Sequence, residues 1–206
     1  MGKYKWYCKN CNFSSAKSRY IEEHMLNCNY ISHDIKKITK NNNLNGLDRN
    51  ESFKLENDCL KILNDNFECI CNLNCQHFPK IISSNKKKCL FIFSNCGYSL
   101  NRYNFLVKKK KLKPIIPKNI NQQIDCIVYN LIKSNIKHLD VDKSGKNICI
   151  TEKGIISLID FDITTINDDF RSDIIKKIYD KKNYNNDYYN NLRNKLKSVI
   201  YSFFLK

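Results

Sequence analysis

Four residues near the start of the chain have the types and the spacing of a zinc site. They are Cys8, Cys11, His24 and Cys28, in the pattern Cys-x2-Cys-x12-His-x3-Cys. Two thiolates separated by two residues can face one ion from a tight turn, and residues four apart lie on one face of a helix. Three sulfurs and one nitrogen form the tetrahedral shell that Zn²⁺ prefers. We therefore predict that these four side chains bind zinc.

The pattern resembles the Cys/Cys/His/His zinc finger, with Cys28 in the place of the last histidine. Trp6 stands where that family has a core hydrophobic residue. The resemblance implies a small ββα finger over residues 1–30. In the family the finger helix enters the major groove of DNA, and a single finger reads about three base pairs. Glu22 and Glu23 put negative charge on this helix. The partner of the finger therefore stays open between protein and nucleic acid.

A second group of zinc-ligand residue types comprises Cys69, Cys71, Cys75 and His77. Thiolate and imidazole donors suit zinc, but Cys-x-Cys is an unusual spacing for a structural zinc site. The sequence leaves open whether this group binds a second zinc ion. The cysteines predicted to be small core residues, because they fall in apolar contexts, are Cys59, Cys89, Cys96, Cys126 and Cys149.

A third group combines carboxylates with an amide in the second half of the chain. Asp140 and Asp142 follow His138, Asn147 precedes an apolar run, and Asp160 begins an Asp-Phe-Asp triplet after the next apolar run. The segment resembles the catalytic core of the protein-kinase fold, with its His-Arg-Asp-x4-Asn and Asp-Phe-Gly motifs. The resemblance implies that Asn147 and Asp160 hold Mg²⁺ on the phosphates of ATP. It also implies that the loop aspartate orients the attacking hydroxyl.

Residues upstream fit the same family. Glu56 lies in a helical apolar pattern and resembles the glutamate of the family's C-helix, and Lys37 resembles its phosphate-binding lysine. The stretch 78–81 resembles the strand after the C-helix, and 90–97 resembles the fifth strand and the hinge that contacts adenine. The resemblance covers about 35–165 and implies an ATP site in which Lys37, paired with Glu56, holds the phosphates.

The chain also departs from the kinase pattern. No Gly-rich loop precedes Lys37, and only 44 residues follow Asp162, which is too few for a complete C-lobe. Asp140 has the family's neighbours but lies seven residues before Asn147 rather than five, whereas Asp142 has the spacing without the neighbours. We favour Asp140, with a two-residue loop insertion, as the catalytic aspartate and keep Asp142 as the alternative.

Two classes of function are compatible with these features. The first is an atypical protein or small-molecule kinase that transfers phosphate from Mg·ATP to a hydroxyl acceptor. The second is a non-catalytic zinc-finger adaptor, in which a pseudokinase scaffold binds protein or nucleic acid.

The elements that position these residues alternate between strands and helices, which predicts an α+β fold. Strands are predicted at 35–39, 77–82, 89–93, 147–150 and 155–159, and helices at 53–63, 120–135, 171–179 and 188–204. We expect a zinc finger over 1–30 and a minimal kinase-like domain over 31–206. The latter would comprise an N-lobe remnant at about 31–97 and a C-lobe remnant at about 98–206, without the Gly-rich loop and much of the C-lobe.

Composition and charge give a weaker indication of partners and location. The 206 residues carry a net charge of +16, which attracts phosphates, but the lysines are spread along the chain. The bias toward Lys, Asn and Ile is typical of an AT-rich genome, such as that of a giant DNA virus. No apolar leader or membrane-length apolar run occurs, so the eleven cysteines are predicted to be thiols in a reducing compartment. We expect an intracellular protein, cytoplasmic or nuclear (in the host cell if viral), without a membrane partner.

Overall fold

The computed structural model describes residues 46–73, 75–181 and 187–204, together with the backbone of three short strands within the first 37 residues. The chain divides into two compact units, Met1–His33 and Asp34–Lys206. In the first unit, β1 (Trp6–Tyr7) pairs antiparallel with β2 (Ser14–Ser15). The four predicted finger ligands, Cys8, Cys11, His24 and Cys28, lie outside the described residues. The zinc finger therefore stays a prediction.

The described residues of the second unit alternate between helices and short strands. In chain order these elements are β3 (Asp34–Lys37), α1 (Arg49–Asp65), β4 (Ile81–Asn85), β5 (Leu90–Phe93), β6 (Tyr98–Ser99), α2 (Leu100–Lys108), α3 (Ile120–Lys133), β7 (Ile136–His138), β8 (Ile148–Ile150), β9 (Ile156–Leu158), β10 (Thr164–Ile166), α4 (Asp173–Lys181) and α5 (Tyr188–Phe204). Helices and small antiparallel sheets share one chain, which confirms the predicted α+β class.

The strands of this unit form separate small sheets. One sheet has the order β3-β5-β4 and another the order β6-β8-β9, while β7 pairs with β10. All of these pairings are antiparallel. The predicted strand pair 147–150 and 155–159 corresponds to the hairpin of β8 and β9, whose positions are all buried. Gly97 joins β5 to β6 with a φ of +84°, and a Cβ there would lie 2.0 Å from the carbonyl oxygen of Ile150. Only glycine fits this crossing.

Helix α1 begins where the sequence offers a cap and a buried stripe. Asp48 accepts hydrogen bonds from the backbone N–H groups of Asn50 and Glu51, and the Glu51 carboxylate accepts one from the Asp48 N–H. This capping box starts α1 four residues before the predicted helix 53–63. The apolar faces of α1, α3 and α5 pack into one core with the strands of the second unit. No helix in the described part of the chain combines the length and the apolar character needed to cross a bilayer.

One predicted strand begins later than expected. The sequence predicts strand structure from His77, but β4 starts only at Ile81. The backbone N–H of Leu158 donates to the carbonyl of His77 at 2.9 Å, so this segment runs beside β9 instead of β5. Pro79 also has no backbone N–H to donate to a ladder. Sequence analysis missed α2, whose nine residues bury only Leu100, Tyr103 and Leu106.

Candidate functional site

Strand ends bring together Asp140, Asn147 and Asp160, which we call the acidic loop site. β7 ends at His138, two residues before Asp140. β8 begins directly after Asn147, and its antiparallel partner β9 ends two residues before Asp160. The backbone N–H of Ile159 donates to the carbonyl of Asn147 at 3.0 Å, which extends this pairing beyond the strands. The hairpin geometry therefore sets the separation of Asn147 and Asp160.

The side-chain amide of Asn147 holds Asp140 at two points. Its Nδ2 donates to the backbone carbonyl of Asp140 and to the Asp140 carboxylate, both at 2.7 Å. Asn147 is 4% exposed, so these bonds form in a protein interior where polar groups need partners. Because both amide hydrogens are used, the carbonyl oxygen Oδ1 is the part of the amide suited to a cation.

Lys146 places a positive charge within the same site. Its Nζ lies 3.3 Å from the carboxylate of Asp140. Burial lowers the pKa of Lys146, but attraction to Asp140, Asp142 and Asp160 outweighs burial and raises that pKa above its usual value. The carboxylates of both strand ends thus act on one ammonium group. Nothing in the spacing of the predicted motif pointed to Lys146.

His138 contacts both backbone segments of the acidic loop site, the one at Asp140 and the one that leads to Asp160. Its ring is completely buried, Nε2 lies 3.0 Å from the carbonyl of Ile159, and Nδ1 accepts the backbone N–H of Asp140 at 3.3 Å. This pairing requires the neutral tautomer with the proton on Nε2. Burial lowers the pKa of His138, which favours the same neutral form. The ring therefore couples the backbone of Asp140 to the residue that precedes Asp160.

Phe161 anchors the segment that carries Asp160. Its ring packs edge-on against the His138 ring at 4.8 Å and against the Phe78 ring at 6.0 Å, measured between centroids. Asp160 has a φ of +68°, in the left-handed region that aspartate tolerates better than most residues. This local turn lets Phe161 enter the core while Asp160 stays half-buried.

Asp142 lies in the same loop, but its carboxylate stabilises a local turn with Ser144. Its carboxylate accepts hydrogen bonds from the backbone N–H of Ser144, at 2.9 Å, and from the Ser144 hydroxyl. Burial acts against ionisation of Asp142, but the bonds from Ser144 outweigh it and lower the pKa of the carboxyl group. Ser144 thus holds Asp142, whereas the amide of Asn147 donates both of its hydrogen bonds to Asp140.

Of the predicted nucleotide-binding pair, Glu56 and Lys37, the structure describes the side chain of Glu56 alone. Glu56 lies on α1 and is 1% exposed. Lys37 is the last residue of β3, where it pairs with Leu90, and its side chain lies outside the described residues. The predicted pairing of Lys37 with Glu56 therefore stays a prediction.

A second constellation, the thiol cluster, consists of Cys69, Cys71, Cys75 and Cys126. Their Sγ atoms all lie within 4.8 Å of one another, so the cluster could hold a metal ion. The separations are 3.7 Å between Cys69 and Cys71, 3.2 Å between Cys69 and Cys75, and 2.9 Å between Cys71 and Cys75. His77 adjoins the cluster, with Nε2 at 2.9 Å from the sulfur of Cys75 and 3.5 Å from that of Cys71.

Proximity gives these thiols unequal acidities. Burial opposes ionisation of Cys69, but hydrogen bonds from Cys75 and Cys71 outweigh it and lower the pKa of Cys69 to about 6. Burial and the neighbouring sulfurs raise the pKa of Cys75. Burial likewise raises the pKa of Cys126 to about 11. One thiolate thus forms readily, and a cation would favour loss of the further protons.

Sequence analysis identified three members of the thiol cluster but assigned Cys126 to the core. Cys126 lies on α3 among buried apolar residues, where a cysteine is indistinguishable from a small hydrophobic side chain. Only the packing of α3 against the segment after α1 brings it to the other sulfurs. Comparison with protein-family models and with curated proteins found no match to the chain.

Proposed function

We propose that residues 34–204 bind a nucleotide with Mg²⁺ and transfer its terminal phosphoryl group to a hydroxyl acceptor, as an atypical kinase. One observation carries the proposal: the buried amide of Asn147 holds both the backbone and the carboxylate of Asp140, beside the hairpin that leads to Asp160. Phosphoryl transfer depends mainly on positioning and on electrostatic stabilisation. The fixed carboxylate of Asp140 would supply the positioning, and the oxygens of Asn147 and Asp160 would supply the electrostatic stabilisation through a bound cation.

The donor atoms of the acidic loop site fit a hard cation. Mg²⁺ prefers oxygen ligands and is bound in such sites by one or two carboxylates together with substrate phosphates. Asn147 Oδ1 and the Asp160 carboxylate would hold the ion, which supplies positive charge to the phosphoryl oxygens. Lys37, paired with Glu56 on α1, would contact the nucleotide phosphates, as in the fold that the sequence resembles.

Asp140 is the residue best placed to bind and deprotonate the acceptor hydroxyl. Its carboxylate is oriented by Asn147 and its side chain is 23% exposed, so an incoming hydroxyl can reach it. In this role Asp140 would accept a hydrogen bond from the hydroxyl and take up its proton. The hydroxyl oxygen bonds to the terminal phosphorus while the bridging P–O bond breaks and the nucleotide, one phosphate shorter, leaves. Asp142 is less suited because its carboxylate is held by Ser144 in a local turn, whereas the buried amide of Asn147 orients Asp140. Lys146 adds a cation that can face the charge developing on the phosphoryl group.

A thermal-shift titration with Mg·ATP tests nucleotide binding. Nucleotide at ten times its dissociation constant stabilises the folded state by about 1.4 kcal/mol. For a domain of this size the midpoint should rise by about 3–6 °C. The shift should vanish in Asp160→Asn and persist in Asp65→Asn, a matched change at an exposed aspartate at the end of α1. Absence of any shift at millimolar Mg·ATP would refute the proposal.

Transfer of labelled phosphate to a hydroxyl acceptor, or to water, separates catalysis from binding alone. Catalysis predicts transfer that requires Asp140 and Asp160. Binding without transfer would instead assign the chain to the non-catalytic adaptors, in which the same fold presents a nucleotide-stabilised surface to a partner. Catalysis yields a phosphorylated product or free phosphate, whereas binding alone yields neither.

A further inference from the structure

We propose that Cys69, Cys71, Cys75 and His77 bind one structural zinc ion, and that Cys126 packs against this site as a thiol without ligating the ion. The four ligands belong to one short segment between α1 and β4, so a single loop encloses the ion. The proposal does not depend on phosphoryl transfer, because its chemistry is that of the loop itself.

The positions of the sulfurs favour a shared ion. With Zn–S bonds of about 2.3 Å, two sulfurs on a tetrahedral ion lie about 3.8 Å apart. The sulfur of Cys69 lies 3.7 Å from that of Cys71, and the other two separations are 3.2 and 2.9 Å. Zinc binding therefore requires Cys75 to move outward by less than about 1 Å. The backbone already directs all three side chains to one point.

The ring of His77 is set for metal ligation. Its Nδ1 lies 2.5 Å from the carbonyl of Ile156, which can only accept a hydrogen bond, so the Nδ1 proton is fixed there. The lone pair of Nε2 then faces the sulfurs of Cys75 and Cys71, at 2.9 and 3.5 Å. A carbonyl that holds the distal ring nitrogen is the usual outer partner of a zinc-bound histidine. His77 is also fully buried, which excludes competing water.

Cys126 is the rival for the fourth position, because its sulfur lies within 4.8 Å of the other three. Its hydrogen bonds indicate a different role. The Cys126 sulfur accepts the backbone N–H of Ile70 at 3.4 Å and the side-chain amide of Asn130 at 3.8 Å, and its thiol donates to the carbonyl of Glu68 at 3.7 Å. These partners satisfy Cys126 in the interior as a thiol without an ion. We therefore assign the nitrogen of His77 to the fourth position.

The proposed ion would join the loop to the strand that leads to Asp160. The backbone N–H of Leu158 donates to the His77 carbonyl at 2.9 Å, and the Ser157 hydroxyl donates to the Gln76 carbonyl at 3.3 Å. Together with the bond from His77 to Ile156, these contacts cover the whole of β9. Zinc would thus hold the loop that follows α1 against β9.

The test uses the full chain with Cys8→Ser and Cys11→Ser, which removes two predicted finger ligands, purified under reducing conditions. Metal analysis by mass spectrometry should find one zinc ion per chain. Cys71→Ser and His77→Gln should each abolish this zinc, whereas Cys126→Ser should retain it. Cys96→Ser, a change at a buried cysteine outside the cluster, is the matched control and should also retain it.

X-ray absorption at the zinc edge tests the ligand set on the same protein without relying on variants that could misfold. The proposal predicts three sulfurs at about 2.3 Å and one nitrogen at about 2.0–2.1 Å. Four sulfurs, with zinc lost in Cys126→Ser and kept in His77→Gln, would overturn the assignment of His77. A reduced protein without zinc after incubation with the metal would overturn the site itself. Removal of the ion by a chelator should lower the melting temperature, and added Zn²⁺ should restore it.

Discussion

Replacing Asn147 with alanine should destabilise the second unit by a calculable amount. The change removes one hydrogen bond to the neutral carbonyl of Asp140 and one to its carboxylate, both 2.7 Å long. A neutral bond contributes about 1 kcal/mol and a bond to a charged group about 1.5–3 kcal/mol. Because the side chain of Asp140 is 23% exposed and water can replace part of the bond to its carboxylate, the lower end of that range applies. The expected loss in free energy of unfolding is about 2.5 kcal/mol.

Urea denaturation at pH 7 measures this loss directly. A loss of about 2.5 kcal/mol corresponds to a melting temperature lower by about 5–10 °C, with an unchanged dependence of the unfolding free energy on urea. Asn101→Ala is the matched control, because Asn101 is exposed on α2. This control should change the unfolding free energy by less than about 0.5 kcal/mol.

A double-mutant cycle separates the two bonds of Asn147. In an Asp140→Ala background only the bond to the backbone carbonyl is left, so Asn147→Ala should then cost about 1 kcal/mol. Equal costs in both backgrounds would mean that Asn147 does not hold the Asp140 carboxylate. A loss below about 1 kcal/mol in the wild-type background would refute the positioning of the loop by this amide.

Three further predictions address catalysis, backbone geometry and pH. Asp140→Asn should lower phosphoryl transfer by about 10²–10⁴-fold, the usual contribution of a general base, whereas Asp142→Asn should retain most of it; equal losses in a transfer assay would contradict the assignment. Gly97→Ala should prevent stable folding or lower the melting temperature sharply, because its Cβ would lie 2.0 Å from the carbonyl oxygen of Ile150. Burial raises the pKa of Cys59 to about 12 from 9.0. The folded state therefore binds more protons above pH 9, and stability should fall as pH rises from there. Cys59→Ala should weaken this pH dependence of the unfolding free energy, and an unchanged dependence would argue against the burial of the thiol.

The sequence by itself determined the elements whose pattern is local. Apolar periodicity identified α1, α3 and α5, because each buries one face against the same core. The hairpin of β8 and β9 followed from two short apolar runs with a turn between them, and its register places Asn147 beside Ile159, the residue before Asp160. Because a short turn leaves the two strands few possible registers, the number of residues between two positions of the hairpin determines whether those positions lie side by side.

Only the tertiary structure decided which side chains within a loop meet. Asp140 and Asp142 are two residues apart and of the same residue type, and the loop bends so that Asn147 contacts the first. Cys126 joined the other thiols through the packing of α3, which lies far along the chain from Cys75. Such contacts depend on the combined packing of distant segments, and no local pattern encodes them. The zinc-ligand types of the loop were visible in the sequence, whereas the orientation of His77 by Ile156 required the folded chain.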